Sequence, residues 1–191
     1  QIVRDKLDAN REFLKIGGGV HPFHYVEQHS QDPDLAEWWD HRLTPICRNF
    51  EAFNAARRFR QIGRLAVFVS REQVRERLHQ AGQAAARVSS EGAAEGAIVP
   101  RVFIVSSCCG GTGSGAFFDI SLLTRQALAD SFHSSPRITG VVVLPEFFAS
   151  QDLGLKRVFE ANACAFFEEA HLLCNRPGLF QAYCMNPTTY R

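Results

Sequence analysis

The stretch "VPRVFIVSSCCGGTGSGAFFD", residues 99–119, constrains this chain more than any other. An apolar run rich in β-branched residues stops at two serines and two cysteines. Four glycines follow within six residues, and helix-forming residues begin at once. The pattern predicts a strand over 99–105, a tight loop and a helix over 115–130. After a turn around Pro136, "ITGVVVL" reads as a second strand over 138–144. Strand, helix and strand in that order form a βαβ unit with parallel strands. Both strands are apolar throughout rather than alternating, so both faces of the sheet are expected to be covered. The fold class is α/β, a Rossmann-like parallel sheet flanked by helices.

The remainder is mostly helical in pattern. "IVRDKLDANREFLK", residues 2–15, spaces Val3, Leu7 and Leu14 at helical intervals, and "GGGVHP" ends that helix. "DPDLAEWWDHRL" opens with Asp32 as N-cap and Pro33 at the first helical position. By composition, "GRLAVFVS" reads as a strand. After it, Ser70 and Gln73 match a capping box, and Val74, Leu78, Ala81, Ala85 and Val88 line one helical face. Residues 153–173 read as a long helix. No internal repeat or linker divides the chain.

Composition excludes several functions. A net charge of +1 creates no field toward nucleic acid, and the arginines are dispersed. Arg57, Arg58, Arg60 and Arg64 form the densest cluster. No apolar run approaches the roughly 18 residues of a membrane span, so no membrane partner is expected. Among six cysteines there is no CxxC pair, which argues against structural zinc. Cys164, His171 and Cys174 are the best metal constellation, a weak one, and buried thiols act mainly as small hydrophobes. Reduced thiols point to a cytoplasmic location.

A strand, a glycine loop and a helix start put backbone N–H groups and a positive helix end at the carboxyl edge of a parallel sheet, an arrangement that suits phosphate. Thr112 and Ser114 add hydroxyl donors. A Walker A loop needs a Lys that the helix over 115–130 lacks. A nucleophile elbow needs glycines where Thr112 and Ala116 flank Ser114. A dinucleotide fingerprint matches Gly111, Gly113 and Ala116, but the acid, Glu146, lies farther on than such sites place it.

The hexapeptide "GGTGSG" resembles the signature loop of the tubulin and FtsZ superfamily. "RRFRQIGRLAVF" resembles that family's segment from its third, phosphate-proximal loop into the next helix, with Gly63 and Arg64 at a glycine–arginine step. "ITGVVVLPEFF" resembles the following strand and fifth loop, and "RVFEANACAFFEEAHLL" the next helix in a bacterial tubulin-like branch. "HPFHYVEQHSQDPDLAEWWD" shares that branch's character. The resemblance spans about residues 14–173. It turns "GRLAVFVS" from strand to helix, running from near Gly63 to near Val88.

The resemblance implies that Gly110, Gly111, Thr112, Gly113, Ser114 and Gly115 hold GTP phosphates, with Mg²⁺ bridging phosphate oxygens. Arg60 or Arg64 would neutralise the γ-phosphate, Glu146 and Glu160 would meet the ribose, and Asn162 would approach the nucleotide. Cys109 departs from the pattern, which usually has three glycines before the Thr. The family's first strand with its glycine loop, and its C-terminal domain, have no counterpart here, so residues 1–191 resemble part of a nucleotide-binding domain. Because the family shares catalysis between subunits, the chain alone is expected to hydrolyse GTP slowly or not at all. The full protein is expected to be a GTPase that associates through its nucleotide face, as a homo-oligomer or filament. The alternatives are a nucleotide-free scaffold or signalling protein that keeps the fold, and a dinucleotide-binding module.

Overall fold

In the computed structural model, which describes residues 12–50, 56, 58–90, 99–132, 134–149 and 153–176, two strands form the sheet. β1 (Arg101–Ser107) and β2 (Arg137–Val143) pair in parallel, with Arg101 opposite Arg137 and Ser107 opposite Val143. Between them runs α6 (Gly111–Phe132), 22 residues long. The βαβ unit read from the sequence is therefore present. α6 begins four residues earlier than its expected start, inside the glycine loop itself.

Among the described residues, only one face of this sheet is covered. Val102, Ile104 and Ser106 of β1 share a face with Ile138, Gly140 and Val142 of β2, and that face packs on α6. Gly140 is required here, because a Cβ would sit 2.5 Å from the Phe117 ring. The opposite face exposes Phe103 (66%), Val105 (68%) and Val141 (44%). The expectation of a sheet covered on both faces is thus corrected. Unbroken apolar runs report what a strand can bury, and here no described element lies over half of it.

Helices stack on the covered side. α4 (Arg60–Val69) and α5 (Arg71–Ser90) both pack along α6. The helix expected from near Gly63 to near Val88 is two helices broken at Ser70, whose Oγ accepts a buried hydrogen bond from the Gly17 amide at 2.7 Å. That contact occupies the hydroxyl that a capping box would use. Of the expected apolar stripe on α5, Val74 is buried and Leu78 partly so, but Ala81, Ala85 and Val88 are exposed. α5 therefore meets the core over only part of its length.

An N-terminal layer caps α4. α1 (Pro22–Gln28), α2 (Pro33–Ala36) and α3 (Thr44–Cys47) enclose Val26, Leu35, Trp39 and Cys47 against Ile62 and Leu65 of α4. Asp32 caps α2 as expected, its carboxylate accepting from the Asp34 amide at 2.9 Å. Gly17 (φ 68°) and Gly19 (φ 79°) adopt the left-handed backbone that ends any helix before them. Of the helix expected over residues 2–15, residues 2–11 lie outside the described residues, and 12–15 are not helical.

After β2 come α7 (Glu146–Ala149), a single 3₁₀ turn and α8 (Lys156–Asn175). α8 lies across the start of α6, where Ala163 and Phe166 bury Cys108 and Cys109. Among the described residues no helix is long and apolar enough to cross a membrane. None of them forms a metal-binding cluster, and Cys164 and Cys174 are exposed.

Candidate functional site

The glycine loop sits at the carboxyl end of β1, and its glycines divide by purpose. A Cβ on Gly63 would overlap the Gly111 carbonyl oxygen, and one on Gly115 would overlap the Arg60 carbonyl oxygen. A Cβ on Gly111 would lie 2.9 Å from the Phe59 amide nitrogen, and one on Gly113 would strike Ser106 Oγ. These four glycines let α4, α6 and β1 meet backbone to backbone. Gly110 differs. Nothing lies within 4 Å of its missing Cβ, and it is not among the described positive-φ glycines. Neither packing nor dihedral angle demands a glycine there.

Three side chains fix the peptides around Gly110. Ser107 Oγ accepts from the Cys109 amide at 3.1 Å. Asn162 Nδ2, from α8, donates to the Cys109 carbonyl at 2.8 Å and to the Arg58 carbonyl at 3.0 Å. Ser114 Oγ donates to the Gly110 carbonyl. Among the described residues, the amides of Gly110, Gly111, Thr112 and Gly113 find no acceptor. A helix leaves its first amides unpaired, and the partial positive charge of a 22-residue helix gathers there.

Hydroxyls and cations at the loop have distinct positions. Thr112 is exposed, whereas Ser114 is fully buried and turned back on Gly110. Arg60 Nη2 donates to Glu169 at 2.6 Å and to the Ser114 carbonyl at 3.2 Å, tying α4 to α8 across α6. Arg64 pairs with the buried Asp119 at 3.1 Å and lies over the Trp38 ring at 4.7 Å. Both guanidiniums are thus engaged within the fold. Glu146 opens α7 at the same sheet edge and is exposed. Glu160 is exposed on α8 and lies 3.8 Å from Lys156.

Cys109 does not obstruct the loop. Its side chain is 1% exposed and points into the cluster with Cys108, Ala163 and Phe166. The two sulfurs are 3.8 Å apart. Burial, and then the hydrogen bond with Cys109, pushes the Cys108 thiol up to about 11. The residue that breaks the glycine pattern is therefore part of the core beneath α8.

Sequence reasoning did not find Glu169 or the walls of an apolar cleft beside Asn162, formed by Arg58, Phe59, Leu155, Val158 and Phe159. The resembling segments contain Arg58, Phe59, Val158, Phe159 and Glu169 but give them no role. Only the crossing of α8 over the start of α4 brings them together.

A family model described as tubulin-like matches residues 21–185. The chain belongs to the tubulin-like family. The match covers the N-terminal layer, the glycine loop and α8 together, in agreement with the order of resembling segments. No curated protein and no solved structure matches this tubulin-like chain significantly.

Proposed function

We propose that this tubulin-like chain binds the phosphates of a nucleoside triphosphate, GTP by family, at Gly110 and the first turn of α6. The observation that carries the reading is Gly110, a glycine with open space at its Cβ beside four amides that lack acceptors. Such an edge takes an anion through backbone N–H groups and the helix dipole. The exposed Thr112 hydroxyl adds a donor. Ser114, Arg60 and Gly63 act from behind, shaping the loop through backbone contacts. Of the acids near the loop, Asp119 is held by Arg64 and Glu169 by Arg60, which favours binding over turnover for those two. Mg²⁺ would then be held chiefly by phosphate oxygens and water rather than by a carboxylate cage. Family membership also supports the loop-bearing face as a contact between copies in the complete protein, and hence GTPase activity that is shared between subunits.

Isothermal titration with GTP, ATP and NAD tests this reading. Gly110→Val removes the close approach without a clash, so it should abolish triphosphate binding while leaving thermal unfolding unchanged. Gly113→Val is the wrong probe, since its side chain would collide with Ser106.

A second reading rests on its own observation. Gly63, Gly111, Gly113 and Gly115 are each explained by packing, so a scaffold that has lost its nucleotide would retain them. Failure of the native chain to take up any of the three nucleotides would favour that scaffold.

A further inference from the structure

We infer that Asn162 is a positioning residue, which aims the Gly110 amide at the ligand by holding the Cys109 carbonyl from α8; this rests on the phosphate reading above. Trans peptides set carbonyl and following N–H antiparallel, and the described residues contain no cis bond. With the Cys109 carbonyl drawn to Asn162 at 2.8 Å, the Gly110 N–H must point away from α8. The neighbouring peptide groups are held as well. Ser107 holds the Cys109 amide on one side, and Ser114 holds the Gly110 carbonyl on the other.

Of these three polar side chains, Ser107 and Ser114 belong to the strand–loop–helix segment itself. Asn162 is the one brought from a distant element. Its second bond, to the Arg58 carbonyl at 3.0 Å, reaches the approach to α4. One amide group therefore joins three elements, and its two donors are spent on backbone carbonyls rather than on a ligand. The Arg60–Glu169 ion pair, 2.6 Å long, closes the same junction two turns farther along α8.

The test uses the ¹⁵N-labelled 191-residue chain, titrated with GTP and Mg²⁺ by calorimetry and followed at the Gly110 amide by NMR. Asn162→Ala should weaken GTP binding about tenfold, the scale of one lost hydrogen bond, and shift the Gly110 amide resonance before any ligand is added. Asn162→Gln, which keeps the amide donors, should recover part of both and serves if the alanine variant folds poorly. A residue that touched the ligand directly would leave the ligand-free Gly110 amide unchanged, and that result overturns the inference. So does an Asn162→Ala affinity within about twofold of native, well below the change expected from a lost hydrogen bond. A native chain that takes up no GTP overturns the phosphate reading, and with it the ligand-directed part of the positioning role. In that case the Gly110 amide still reports whether Asn162 orients the peptide.

Discussion

Gly63 on α4 lies against the carbonyl oxygen of Gly111 at the start of α6, so close that a methyl group on Gly63 would overlap it. The two helices cross backbone on backbone, directly behind the candidate phosphate site. Gly63→Ala should therefore destabilise the fold by about 1–3 kcal/mol through overpacking. Gly110→Ala, at the open position, should stay within about 0.5 kcal/mol of native, as surface changes do. Urea denaturation of both variants checks the contrast. Equal losses would contradict the division of the glycines into packing and open positions.

Asp119 is 4% exposed, and its carboxylate meets Arg64 at 3.1 Å. Removing one member of a buried pair typically costs about 3–5 kcal/mol. Arg64 also stacks on Trp38, so it keeps some contact when the acid is lost. Asp119→Ala should fall near the lower end of that range, read as a shift in the chemical denaturation midpoint with unchanged slope. The double variant with Arg64→Met should recover part of the loss.

Among the described residues, the thiols should separate into two classes under an alkylating reagent. Cys164 and Cys174 are exposed and should label first. Burial pushes the Cys47 and Cys108 thiols up to about 11, so they stay protonated and silent until unfolding. Mass spectrometry of labelled peptides at pH 8 shows the order. The linkage has a definite sign. The unfolded thiols ionise near 9, while the folded ones hold their protons to about 11. Stability is therefore full below pH 9 and declines as pH rises from 9 to 11. A denaturation midpoint that stays flat across that window would contradict the burial assigned to both thiols.

Phe103 and Phe166 should behave as opposites. Phe103 is 66% exposed on the bare face of the sheet, whereas Phe166 is 3% exposed between Phe117 and Phe118. Phe166→Ala is expected to cost about 3–5 kcal/mol. Phe103→Ser should cost less than about 0.5 kcal/mol, in the range of surface substitutions. A large loss at Phe103 would mean that the face is covered in solution, and sedimentation velocity would show whether a second copy covers it.

The parts of this fold set by local residue pattern were legible in the sequence. The βαβ unit, the Asp32 cap and the end of the loop at an apolar helix all follow from spacing and turn chemistry. What was not legible depends on distant contacts. The helix breaks at Ser70, whose hydroxyl meets the Gly17 amide, and no local rule anticipates a partner 53 residues away. The bare sheet face was misread because an apolar strand looks the same whether one side or both are covered. The motif put Gly110 and Thr112 at the carboxyl end of β1, where the structure has them. It could not tell a glycine with open space at its Cβ from glycines that admit a helix. That distinction required the backbone of α4.

The contact of α4 with α6 has a mechanical consequence. Gly63 and Gly115 leave no slack between the two helices, and well-packed interiors transmit displacement rather than absorb it. The layer formed by residues 20–50 rides on α4 through Ile62 and Leu65. The outer layer, α4 and the first turn of α6 are thus packed in series, with no gap between that layer and the loop.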